Sequence, residues 1–133
     1  MSLSSDAFPI RLRKLEVTLA VCRCDPSATV EPWMRRGLFW SITRTPAELS
    51  IVCPIDEVPA GVRHEAPFVV FVVAGPLDFS LIGIVSRISA PLAEAGIPIF
   101  VTATFDTDWV LVPAAHEFDA VQVWLAAGLR LDA

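Results

Sequence analysis

Tyrosine is absent from this chain, and its 133 residues hold 2 histidines and 3 cysteines, with charge on 19% of positions. Each shortage excludes something. Three cysteines cannot supply a disulfide framework, and an odd, small number fits a reducing compartment, so a cytoplasmic protein is expected. Cys22, Cys24, Cys53, His64 and His116 do not compose a zinc motif. Such motifs space paired ligands by two to four residues, and Cys22-x-Cys24 is too close. On a strand those two thiols share a face, so packing is their expected role. No Ser-His-Asp or Cys-His arrangement is legible and neither histidine sits in a motif, so the chain is not expected to be an enzyme. Basic residues number 10 against 15 acidic ones, for a net charge of −5. A phosphate-binding surface needs clustered Lys and Arg, so nucleic acid is not an expected partner. No apolar run reaches the ~20 residues of a membrane span, and Gly75-Pro76 interrupts the best candidate, so no membrane partner is expected either. Met1 to Phe8 lacks a basic start followed by an apolar run, so no signal peptide is expected.

What is abundant is apolar surface. Hydrophobic residues make up 54% and the mean hydropathy is +0.59. That excess exceeds what one small core needs and points to a further interface, a homodimer through sheet edges or helices. The charge is split by sign. Residues 1–50 carry seven basic and five acidic residues, whereas residues 51–133 carry three and ten. The split fits two modules that face each other or an acidic site for a cationic ligand. A solvated surface is the plainer account.

Along the chain, Arg11 to Cys22 alternates as a strand, with its apolar face on the odd positions from Leu15. Glu31 to Arg35 suits one helical turn, with Pro32 near its start. Leu38 to Thr43 reads as a second strand. Thr45-Pro46-Ala47-Glu48 has the form of a capping box, which predicts a short helical turn. Leu49 to Cys53 is a third strand. Asp56 to Pro67 holds two of the prolines and reads as a linker. Phe68 to Val73 is a buried central strand. A helix is predicted from Ser80 to Glu94, with a kink or break at Pro91 and a stop at Gly96. Ile97 to Thr104 and Trp109 to Val112 are strands around a turn. A last helix spans Ala115 to Ala127. The halves repeat a split β-α-β unit, the first copy degenerate. The expected modules are residues 1–58 and 59–133.

One short stretch carries the functional question: Gly75-Pro76-Leu77-Asp78-Phe79-Ser80 places a lone carboxylate between a buried strand and a helix. Asp78 has a structural role open to it as a cap or turn acid, worth about 1 kcal/mol. Gly75 serves a tight turn equally well. Asp106 and Asp108 flank a second turn, where Asx-turn formation is the plainer role. Pointed into one site, these three acids would make an acidic pocket, and they would equally hold Mg²⁺ or Ca²⁺. No cofactor or metal is expected. Trp33, Trp40, Trp109 and Trp124 are expected as core or interface anchors.

The segment GPLDFSLIGIVSRISAPLAEAGIPIFVTATFDTDWVLV, Gly75 to Val112, resembles the core of the tandem ACT-domain proteins, which include small bacterial proteins and the CASTOR-type arginine sensors of animals. Phe39 to Pro54 resembles the N-terminal module of the same family. The resemblance implies an α+β, ferredoxin-like βαββαβ fold, two modules per chain, mainly antiparallel. It also implies a regulatory protein that binds an amino acid where modules pair. The implied site is the loop Gly75, Pro76, Leu77, Asp78, Phe79, Ser80 on one side and Thr104, Phe105, Asp106, Asp108 on the other. Backbone amides at the helix start would take the ligand carboxylate. Because the site candidates with charge are all acids, a basic amino acid, arginine before lysine, is the expected ligand. The rival expectation is a protein of the same fold that has lost its ligand and serves interaction or oligomerisation alone.

Overall fold

The computed structural model describes residues 9–74 and 83–132. The chain forms two compact units, one of Met1–Leu15 with Val69–Ala133 and one of Glu16–Phe68. The boundary expected between residues 58 and 59 lies inside the second of these. Strands β1 (Arg11–Cys24) and β4 (Arg63–Val73) each contribute to both units.

The unit around Val69–Ala133 holds both α-helices. Its elements are the start of β1, the end of β4, α1 (Ile84–Glu94), β5 (Phe100–Ala103), β6 (Asp108–Pro113), α2 (Glu117–Ala126) and β7 (Arg130–Asp132). From β4 onward the order is βαββαβ. The strands lie in the order β7-β1-β4-β6-β5, so the start of β1 is inserted between the last strand and the first. Leu12 faces Leu131 in a parallel pair with β7, and the Ala74 amide donates to the Arg11 carbonyl at 2.8 Å. Val69 to Val73 are all buried, as a strand covered on both faces requires. Trp124 is the largest fully buried side chain among the described residues. Its ring meets Phe71 edge-on at 5.0 Å, and Nε1 donates to the Ile88 carbonyl at 3.0 Å, so the two helices are joined by a hydrogen bond as well as by packing.

Both helices end in one way. Gly96 and Gly128 take φ of 74° and 92°, a conformation open to glycine at little cost. The next amides, Ile97 and Leu129, reach back to the carbonyls of Leu92 and Trp124 at 2.9 and 3.0 Å. Ile97 and Leu129 are buried, so each stop also anchors the following chain in the core.

The second unit covers its sheet differently. It holds the rest of β1, a 3₁₀ helix at Pro32–Arg35, β2 (Ser41–Arg44), β3 (Leu49–Pro54), a second 3₁₀ turn at Ile55–Glu57 and the start of β4. β3 lies antiparallel between β2 and β1. The core gathers Ala20, Cys22, Trp33, Met34, Leu49, Ile51 and Cys53. Trp33 and Met34 reach it because the one turn at Pro32–Arg35 turns both inward, and Trp33 Nε1 donates to Glu31 Oε2 at 2.9 Å. The three cysteines are free, and Cys22, Cys24 and Cys53 pack in or against this core. The hydrogen bond with Cys53, and after it burial, push the Cys22 thiol well above its ordinary pKa.

Several elements differ from expectation for local reasons. β1 does not bury a single alternating face: Leu12 is buried in one unit and Leu19, Ala20 and Cys22 in the other, so of the odd positions expected inside only Leu19 is buried, while Leu15, Val17 and Val21 remain half-buried. The linker expected over 56–67 is strand from Arg63 onward. Thr45-Pro46-Ala47-Glu48 opens no helix. It is the β2–β3 hairpin turn, with Thr45 Oγ1 accepting from the Ala47 and Glu48 amides at 3.1 Å each. The same side chain that would cap a helix caps a tight turn when strands flank it on both sides. The helix start expected at Ser80 lies outside the described residues. Pro91 sits within α1, and the three-residue β7 was not foreseen at all. Among the described residues no helix is long and apolar enough to cross a membrane.

Candidate functional site

The β5–β6 hairpin pairs Ala103 with Asp108 and Thr102 with Trp109, leaving 104–107 as its turn. Threonine hydroxyls build this turn. The Thr104 amide donates to the Thr107 carbonyl at 2.8 Å, and Thr104 Oγ1 donates to that same oxygen at 3.1 Å. Trp109 Nε1 donates to Thr104 Oγ1 at 2.9 Å, which lays the indole against the turn. Thr107 Oγ1 donates to the Val73 carbonyl at 2.6 Å and so pins the turn to the end of β4. No hydrogen bond or ion pair holds the carboxylates of Asp106 or Asp108 among the described residues. The Asx turn expected there is replaced by this threonine scaffold, and Asp106 is left exposed to solvent.

A cavity of about 290 Å³ opens beside the turn, lined by Arg13, Val72, Val73, Ala74, Thr104, Asp106, Thr107 and Trp109. It therefore sits where the ends of three strands meet: the start of β1, the end of β4 and the β5–β6 turn. Of the residues expected in the site, Thr104 and Asp106 line this cavity. Phe105 is 80% exposed and is not among its walls. Asp108 is not among them either, because it precedes Trp109 on β6 and neighbours on a strand point to opposite faces. The expected Gly75, Pro76, Leu77, Asp78, Phe79 and Ser80 lie outside the described residues. The expected convergence of three acids thus reduces, among described residues, to Asp106 alone.

Arg13 is the wall that sequence reasoning missed. It stands in the run Arg11-Leu12-Arg13-Lys14, and its neighbours are engaged elsewhere. Arg11 Nη1 lies 3.7 Å from Asp132 Oδ1, and Lys14 Nζ lies 2.9 Å from Glu117 Oε2. No ion pair engages Arg13 among the described residues. The cavity thus offers one guanidinium, one carboxylate, the indole of Trp109 and the apolar end of β4. Such a set suits the binding of a small polar molecule.

Comparisons with known proteins bear on the family and the fold. A family model for the ACT domain matches residues 63–123, which includes the end of β4, α1 and the whole β5–β6 hairpin. A second family model, which describes an N-terminal domain, matches residues 18–61. The crystal structure of protein Atu0741 from Agobacterium tumefaciens is 38% identical, with 95% of this chain and 94% of that one covered and a TM-score of 0.89. The chain carries an ACT domain and belongs to the family of Atu0741. More distant structures share the fold. A Vibrio cholerae protein of unknown function, VC0802, described as a possible transport protein, is 18% identical over 90% of each chain with a TM-score of 0.73. The aspartate kinase of Clostridium acetobutylicum, described as an allosteric enzyme, is 12% identical with a TM-score of 0.62, over 88% of this chain and 34% of the kinase. No curated protein matches the chain. The cavity and its turn lie within the stretch the ACT-domain model covers, save for Arg13, which comes from the inserted β1.

Proposed function

We propose that this chain is a regulatory protein that binds a free amino acid at the cavity beside the 104–107 turn, in the manner of a tandem ACT-domain sensor in the cytoplasm. The observation that carries the proposal is the position of the ACT-domain match, which covers the hairpin whose turn walls the cavity. The other wall expected from the sequence, the loop Gly75–Ser80 with Asp78, lies outside the described residues, and the proposal stands on the described walls of the cavity. The likeness of Gly75 to Val112 to the CASTOR-type sensors supports an amino acid as the ligand class. A thermal-shift screen against the twenty amino acids tests it. A ligand present at 100 times its Kd stabilises by about 2.7 kcal/mol, which a melting curve resolves. A flat screen would sink the proposal and favour a ligand-free interaction module of the same fold.

A homodimer forms part of this proposal. Phe118 and Leu125 on α2 are 73% and 47% exposed, and they stand seven residues apart on one helical face. Apolar side chains so placed suit the helix of a second copy. Light scattering that returns a single 14.5 kDa species at micromolar concentration would remove this element.

A further inference from the structure

The cavity holds a charge pattern that the acidic count of the sequence did not foretell. Arg13 lines it from β1 and Asp106 lines it from the hairpin turn. No ion pair joins the two, and neither has another ion-pair partner among the described residues. Asp132 stands beside Arg13 in the parallel register of β1 and β7, yet its carboxylate is engaged by Arg11 at 3.7 Å. The acidic side is held in place by the scaffold already described, since Thr107 Oγ1 fastens the turn to Val73 at 2.6 Å. A cation and an anion are thus presented to one cavity from two separate supports.

Resting on the reading that this cavity takes a free amino acid, we propose that Arg13 binds the ligand's α-carboxylate, that Asp106 receives its α-ammonium, and that the ligand's side chain is uncharged. The formal charges the described walls bring sum to zero, and a zwitterion adds none. A basic side chain would introduce a second cation with one described acid to share, because Asp108 is not a wall. An acidic side chain would set a second anion against Asp106. A guanidinium offers two parallel donors to a carboxylate, a match that an ammonium on the same strand does not reproduce. The ligand side chain then meets Trp109 and Val72, and a cavity of about 290 Å³, at the lower end of the ~300–1,000 Å³ usual for ligand pockets, selects a small one.

Titration calorimetry on the full chain tests the assignment, with L-alanine, L-valine, L-leucine, L-threonine, L-arginine and L-glutamate as probes. An uncharged member is expected to bind more tightly than arginine and glutamate. Its amide, which lacks the carboxylate, and its α-hydroxy acid, which lacks the ammonium, are each expected to bind at least about tenfold more weakly to the unaltered protein. Arg13→Ala is expected to weaken binding of the amino acid about 10- to 100-fold and to erase its advantage over the amide, with Arg13→Lys in between. Asp106→Asn is expected to erase the advantage over the hydroxy acid. Arginine or glutamate binding most tightly overturns the proposal. So does an amino acid that binds Arg13→Ala as well as the unaltered chain, in which case amino-acid binding itself survives. Absence of binding by all six probes overturns the proposal, and a flat thermal-shift screen of all twenty amino acids overturns with it the function on which the proposal rests.

Discussion

The two units of this chain solve one problem in different ways. Each must cover a sheet whose strands β1 and β4 they share. The unit around Val69–Ala133 uses two α-helices, each closed by a glycine and locked to the other through Trp124. The Glu16–Phe68 unit uses 3₁₀ turns among its described residues: Trp33 and Met34 of the first pack with Cys22 and Cys53, and Ile55 of the second packs against them. Aromatic area and regular helices give the first a large continuous core. Fewer buried side chains, with Trp33 and Met34 brought in by one turn, give the second a core with little redundancy. The cavity belongs to the helical unit, where a hydrogen-bonded turn can be held rigid against a well-packed support.

The comparison is broken most severely at Trp124. Trp124→Ala removes the edge-on contact with Phe71 and the hydrogen bond to Ile88, and is expected to cost about 3–5 kcal/mol in chemical denaturation. Trp124→Phe keeps much of the area and isolates the hydrogen bond, for a loss nearer to about 1–2 kcal/mol. If Trp124→Phe unfolds at the same denaturant concentration as the unaltered chain, the bond between the helices counts for nothing and packing alone joins them; if it unfolds with Trp124→Ala, the bond carries the whole effect.

A glycine from each unit sharpens the contrast. Gly37 has φ of 94°, and a Cβ there would run into the Pro54 ring. Gly96 has φ of 74° with open space around it. Gly37→Ala is therefore expected to cost about 2–4 kcal/mol, strain and collision together, and Gly96→Ala about 1–2 kcal/mol from strain alone. Equal midpoints for the two variants would mean that the ring yields and that the second unit is looser than its core suggests.

Thiol chemistry probes the smaller core directly. Burial, and then the negative charge of Glu31, raise the Cys24 thiol above its ordinary pKa. The folded thiol keeps its proton at pH values where an unfolded one loses it, so folding stability is level through neutral pH and falls above about 9. Alkylation of the native protein is expected to follow a pH profile displaced upward from that of a free thiol at Cys24, and to spare Cys22 and Cys53 until the unit unfolds. Rapid labelling of all three thiols at neutral pH would show that this core opens far more readily than the helical one. The smallest effect is at the surface. Lys14 and Glu117 are paired at 2.9 Å but about a third exposed, so Lys14→Ala is expected to cost no more than ~1 kcal/mol, and less as salt is added.

The readability of the sequence followed the reach of the forces involved. Val69 to Val73 is a run of buried strand residues, and Gly96 and Gly128 mark helix ends, because these signals are local. The turn expected between Thr104 and Trp109 was legible for the same reason, and lies one residue earlier, at 104–107. Thr45 was misread because one hydroxyl serves a helix start and a hairpin turn alike, and only the strands around it decide. The face of β1 was misread because a single strand feeds two cores. β7 left no trace, since Arg130-Leu131-Asp132 has one apolar residue and is a strand through its pairing with β1. Arg13 was overlooked on similar grounds. A charged residue on an exposed strand face looks like any solubilising residue. What distinguishes it is that its neighbours' carboxylates are taken, and that is a tertiary fact.

The insertion of β1 beside β7 has a consequence for biosynthesis. On the ribosome, Arg11 to Arg13 emerge long before Arg130 to Asp132 have been translated, yet these are the strands that lie side by side. Until the second partner exists, the Ile10 carbonyl that will accept from Arg130 has no mate, and one edge of the nascent sheet stands open. The helical unit, and the cavity walled by Arg13, can close only when nearly the whole described chain has been made. A product truncated before Arg130 lacks the strand that flanks Arg13 and leaves that edge of β1 unpaired.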